Sequence, residues 1–234
     1  MKDIKDIKSQ ALNFLIGCYF GQSEDLLMAA IDRAYVDMAS HTMKLFSEEN
    51  YKEKWKCRYN ASYEIYNAIK KYPDDLPTYE SWHAQLIDKI KNCYPNIETN
   101  ENLSIPNNEK MLTEGQAQKW LNMTVKYMFV FKMLLGEEDK RLFKFDGFLK
   151  VTYKDLLPPV DSYLLKEIKY QRTDWSNFNE EYPKVLNVIS NYIKNQNCDC
   201  VFEWELFEWE KMKNKNPQID SKSYAHYKQK HKKG

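Results

Sequence analysis

Apolar residues recur along this chain at helical spacing, separated by short polar stretches rich in Asn, Asp, Ser and Pro. Residues 5–16 put Ile7, Leu12, Leu15 and Ile16 on one side of a helix. Ser23 stands where an N-cap would open a helix over 24–46, in which Leu27, Ala30, Ile31, Ala34, Met38 and Leu45 repeat. Over 48–71, Tyr51, Trp55, Tyr59, Tyr63, Tyr66 and Ile69 form a stripe expected to face the core, with the stacking of bases as the other use of such a ring ladder, and Pro73 and Pro77 end it. Thr78 opens a helix to about Cys93. Asn and Pro then dominate 94–111, dividing the chain into an N-terminal helical part (1–96), a loop (97–112) and a second helical part (113–210).

Thr113 is positioned to cap 114–135, a segment apolar over most of its circumference, which predicts a central helix. Within the mixed stretch 136–157, residues 148–153 read as a short strand or a loop. Pro158-Pro159 ends it. Asp161 then sits at an N-cap position before a helix to about Tyr170, and helices over 178–195 and 201–213 complete the pattern. In the last of these, Glu203, Glu205, Glu208 and Glu210 are expected outside, with Trp and Phe inside. Eight or nine helices and little sheet predict an all-α fold.

Composition narrows the function classes. Only six glycines occur in 234 residues, in neither a dinucleotide-binding nor a Walker-type pattern. No apolar run approaches the ~18 residues of a membrane span, so no membrane partner is expected. Five cysteines, odd in number and mostly isolated, suggest a reducing, cytoplasmic setting. Cys198-x-Cys200 is too closely spaced for a zinc knuckle and reads as a surface turn; no metal and no cofactor are expected. The net charge of +1 conceals an uneven distribution: residues 211–234 hold eight lysines against Asp220 alone, and residues 115–172 carry +4. The lysine-rich end is expected to be a flexible arm, with the option of seeking phosphate.

The segment Gly115-Gln-Ala-Gln-Lys119-Trp-Leu-Asn122, with Pro159-Val-Asp161-Ser-Tyr163 after it, resembles the signature of the helix-hairpin-helix DNA glycosylases, the superfamily of endonuclease III and the 8-oxoguanine glycosylases. Gly115 stands at the first hairpin glycine, Ala117 in place of the second, Lys119 at the catalytic lysine and Asp161 at the catalytic aspartate. Lys119 and Asp161 lie 42 positions apart, a longer gap than the family usually shows, which an insertion across 134–157 would explain. The resemblance implies a glycosylase-like multi-helix fold with a degenerate hairpin and a duplex DNA partner with an extruded base. It further implies a hydrolase role in base excision, whether in DNA repair or in anti-phage or phage base-modification systems.

Those residue types suit the chemistry. Cleaving an N-glycosidic bond develops positive charge on the sugar, which a carboxylate stabilises; Asp161 at a helix start would be kept ionised by backbone donors. A neutral amine at Lys119, its pKa lowered by desolvation, would be able to attack the same carbon. Amides at Gly115, Gln116, Ala117 and Gln118, together with Lys126 and Lys166, are the expected DNA contacts. Trp120, Tyr163, Phe202, Trp204 and Phe207 are candidates for the base pocket. The competing expectation is a helical module that binds nucleic acid or protein without catalysis, in which Lys119 is a solvated residue and Asp161 an ordinary cap.

Overall fold

A computed structural model describes residues 4–21, 24–39, 51–72, 78–94, 112–136, 138–196, 198 and 200–215. Among these the chain is all-α. The helices are α1 (Ile4–Phe20), α2 (Leu26–Ala39), α3 (Tyr51–Lys70), α4 (Tyr79–Asn92), α5 (Glu114–Leu135), α6 (Asp146–Leu149), α7 (Ser162–Glu167), α8 (Tyr182–Lys194) and α9 (Val201–Lys215). Two 3-10 turns, Phe143–Phe145 and Trp175–Asn177, lie in the connections. No helix among the described residues is long and apolar enough to cross a membrane.

The centre is α5. Its Ala117, Trp120, Leu121, Val125, Met128 and Phe131 are all buried, and α2, whose Leu27, Ala30, Ile31, Ala34 and Met38 are buried too, packs along it. The Trp120 indole N–H donates to the Ile31 carbonyl at 3.0 Å, so its polar edge is satisfied inside the core. One continuous apolar cluster runs from Leu26 through Trp120 to Met212, uniting helices on either side of the Asn- and Pro-rich stretch. That stretch itself, at 95–111, lies outside the described residues, as do Ser23, 40–50, and 216–234 of the lysine-rich end.

The helix starts follow local chemistry. Thr113 and Gln116 form a reciprocal capping box at the head of α5, and Thr78 caps α4 by accepting from the Ser81 amide. At α2 the carboxylate of Asp25 accepts from the Met28 amide, placing a cap two residues beyond Ser23. Residues 148–153 are neither strand nor plain loop: Phe148 and Leu149 end the short α6, and turns follow. Helix α9 runs on to Lys215, whose ammonium meets Glu167 of α7 at 2.8 Å, so the first residues of the basic segment are helical.

Helix α3 reverses the expectation for its rings, although Ile69 of the expected stripe is buried. Its buried side is Cys57, Ala61, Ile65 and Ile69, each four residues from the next. Trp55, Tyr59 and Tyr63 are 46%, 69% and 56% exposed, and Tyr66 is half-buried. Small side chains allow close helix approach, and the two stripes lie too far apart around the helix for both to face inward.

Candidate functional site

The residue pair singled out by sequence converges. The Lys119 ammonium, one turn into α5, donates to Asp161 Oδ2 at 2.8 Å across 42 residues of chain. Both side chains are buried, at 8% and 12% exposure. Pro158-Pro159 lies outside any helix, and Asp161, itself in extended backbone, caps α7. Its Oδ1 accepts from the Tyr163 and Leu164 amides, both at 3.0 Å. Burial alone would raise the Asp161 carboxyl; the Lys119 ammonium and the two amides outweigh it and hold the group below its ordinary value. Trp175 completes the surroundings, with its ring centroid 5.9 Å from the Lys119 nitrogen.

A buried polar network fixes the distance between α5 and the 158–161 segment. The Gln118 amide group donates to the Gly115 and Val160 carbonyls, and its oxygen accepts from the Val160 amide at 3.1 Å. Asn122 donates to the Pro158 carbonyl and contacts the Tyr182 hydroxyl at 2.8 Å, while its oxygen meets His83 Nε2 at 2.7 Å. Burial pushes the His83 pKa down to about 4 against a smaller opposing effect of Asn122, so the imidazole is neutral at pH 7. The sequence held Lys119 and Asp161 as candidates but gave no role to Gln118 and Asn122 in aligning them.

A second buried pair stands on the same face of α5. Lys126 is seven residues beyond Lys119, and its ammonium meets Glu205 of α9 at 2.7 and 2.9 Å. Glu205 is 1% exposed, which corrects its expected place on the outer side of α9. Burial raises the Glu205 carboxyl despite the Lys126 charge, with nearby Asp161 adding to the rise. The spacing of Phe202, Glu205, Trp209 and Met212 carried the missing signal, since steps of three and four put Glu205 on the inward stripe.

Other expectations are corrected. The first turn of α5 is not offered to a phosphate in this conformation. The Gly115 amide donates to the Phe178 carbonyl at 3.0 Å, that of Gln116 to the Thr113 hydroxyl and that of Ala117 to the Thr113 carbonyl. Gly115, Gln116, Ala117 and Gln118 are all buried. Gly115 is required there for a different reason: a Cβ would lie 1.8 Å from the Trp175 carbonyl oxygen, so only glycine lets that backbone cross the helix start. Lys126 is committed to Glu205, whereas Lys166 is exposed on α7.

Among the base-pocket candidates, Trp120 is core, Phe202 packs edge-on against Phe129, and Trp204 packs against Tyr192. Phe207 points outward at 69% exposure. Tyr163 is partly buried and meets Asp161 through its backbone amide, and Trp175 is the aromatic that sequence reasoning missed. Cys200 is buried, with its thiol toward the Tyr153 carbonyl, rather than part of a surface turn. A recess lined by Lys132, Leu142, Phe143, Asp146, Leu149 and Lys150 includes neither Lys119 nor Asp161. Among the described residues no group of three His, Cys, Asp or Glu is placed to hold a metal.

The segment joining α7 to α8 carries Trp175 to the Lys119 ammonium. The Thr113 hydroxyl donates to the Ser176 carbonyl at 2.6 Å, and the Gly115–Phe178 bond fastens the same strap to α5. Lys169 and Glu180, near its two ends, hold φ of 53° and 64°, a left-handed conformation costly for residues with a Cβ. No family model matches the chain, and no curated protein or solved structure matches it.

Proposed function

We propose that the protein is a DNA base-excision glycosylase in which Asp161 stabilises the cationic sugar and Lys119 positions or attacks C1′. The observation that carries this reading is the buried 2.8 Å contact between an ammonium and a carboxylate 42 residues apart. Asp161 already has the electrostatics the reaction needs: two amides fix one oxygen and the carboxyl is held ionised. In the hydrolytic step, water oxygen bonds to C1′ as the N-glycosidic bond breaks. The bonding electrons leave with the base, and the water proton passes by way of the carboxylate to the departing base nitrogen. Attack by Lys119 requires its contact with Asp161 to open and its proton to leave, because only the neutral amine is nucleophilic. In either route part of the surroundings must open to admit a sugar, since both reacting side chains are covered.

The test is strand scission. A panel of duplexes with modified bases is incubated with the protein and then treated with alkali, which cuts wherever a base has been lost. Scission by the native chain that Asp161→Asn abolishes supports the proposal; equal scission by the variant refutes the role of Asp161. Borohydride trapping of a protein–DNA adduct that Lys119→Met removes assigns the nucleophile, and its absence alongside base loss assigns simple hydrolysis.

A second reading, a non-catalytic helical binding module, is favoured by one specific observation. The α5 amides expected to grip a phosphate are satisfied within the chain. Under that reading Lys119 and Asp161 are a structural pair, and no duplex of the panel loses a base.

A further inference from the structure

We propose that the outward face of α3 binds single-stranded nucleic acid by stacking its bases on Trp55, Tyr59 and Tyr63. These residues recur every four positions and therefore line one side of the helix. All three are more than two-fifths exposed, although the cores of folded proteins take up aromatic rings readily. The Tyr59 and Tyr63 rings lie 14° from parallel with centroids 6.5 Å apart. That spacing is close to twice the ~3.4 Å step along one nucleic-acid strand, so a strand laid along α3 meets a ring at alternate bases.

The chemistry of the face favours a polyanion with flat bases over a protein surface. No aliphatic side chain stands in the exposed stripe; Ile65 and Ile69 belong to the buried side of α3. Lys56 precedes Tyr63 by seven positions and Lys70 follows it by seven, the interval that returns to the same helix face, and both lysines are exposed. The Lys70 ammonium lies 6.0 Å from the Tyr66 ring. The Arg58 guanidinium, paired with Asp32, lies 4.8 Å from the Trp55 ring and 4.2 Å from the Tyr35 ring, which braces the indole. Rings interleaved with cations are how sequence-tolerant strand binding works: every base has a π-face, and the phosphates meet the lysines.

This inference uses neither Lys119 nor Asp161, and its probe carries no modified base, so its failure leaves the excision reading standing. The probe is a fluorescently labelled oligothymidylate, titrated with the full chain at about 0.3 M salt, where contacts made only to phosphate are weakened. The native protein is expected to bind. Tyr59→Phe with Tyr63→Phe keeps the affinity, because the ring faces remain. Tyr59→Gln with Tyr63→Gln keeps a helix-favouring surface and loses roughly tenfold or more.

Three results overturn the proposal: no binding by the native chain, a Gln pair that binds as the native chain does, or a Phe pair as weak as the Gln pair. Ultraviolet cross-linking of the same oligomer to the native protein decides the matter without a variant. Adducts on peptides containing 55–63 support it, and adducts confined to other segments, the lysine-rich 211–234 included, overturn it.

Discussion

Removing one member of the Lys119–Asp161 pair and then both measures what the pair contributes to folding. Lys119→Met leaves a carboxylate 12% exposed with only the Tyr163 and Leu164 amides to hold it. Asp161→Asn retains a good capping residue, but the cap uses its one side-chain oxygen, so the covered ammonium meets an amide –NH2 that cannot accept from it. Stranding one charge of a buried pair costs about 3–5 kcal/mol. The two surviving amides put Lys119→Met at the lower end of that range. The double variant strands no charge, and replacing both members of such a pair is often close to neutral.

A double-mutant cycle is therefore expected to return a coupling of at least ~2 kcal/mol in favour of the native pair. Urea unfolding followed by circular dichroism reads it, each single variant shifting the midpoint down by roughly 1 M or more. Coupling below ~0.5 kcal/mol refutes the reasoning, because it means water already screens the contact. The combination most informative about function is a double variant nearly as stable as the native chain and without base release. Such a protein shows the pair to be kept for chemistry.

Three further outcomes follow from the geometry. Gly115→Ala drives a methyl into the Trp175 carbonyl and is expected to cost about 1–3 kcal/mol or more by urea unfolding, whereas Gly17→Ala, with open space around it, costs nothing comparable. His83 is neutral in the fold with a pKa of about 4 against ~6.5 unfolded, so the unfolded chain binds the extra proton between those values. Stability should fall as pH drops from about 6.5 to 4, by roughly 3 kcal/mol from this group, and a His83→Gln variant should show a shallower slope in a pH series of melting curves. Lys126→Met leaves Glu205 buried without its cation; its loss of stability at pH 7 should shrink as pH falls toward 5, because the folded state then takes up a proton that the unfolded chain does not.

Much of this fold was legible because α5 advertises itself. A helix apolar nearly all round has to be central, and Thr113 with Gln116 marks its start. Asp161 was legible as a cap from the Pro-Pro-Val-Asp-Ser run, and its partnership with Lys119 came through resemblance, since no local rule links positions 42 apart. The burial of Glu205 was obscured by the three other glutamates around it, although its periodicity agreed with Phe202 and Met212. The α3 stripe misled for the opposite reason. Large rings drew attention from Cys57, Ala61 and Ile65, which join the expected Ile69 on the side that packs inward and whose smaller size allows α3 to pack closely. The crossing of Trp175 over Gly115 was illegible, because a close backbone approach leaves no mark except the glycine itself.

The excision reading is tested most directly by mass-spectrometric detection of free base released from modified duplex DNA. The native chain is predicted to release a base from at least one duplex of a chemically diverse panel, at a rate that Asp161→Asn lowers by about 100-fold or more. Release that persists unchanged in Asp161→Asn, or no release from any duplex in the panel, contradicts it.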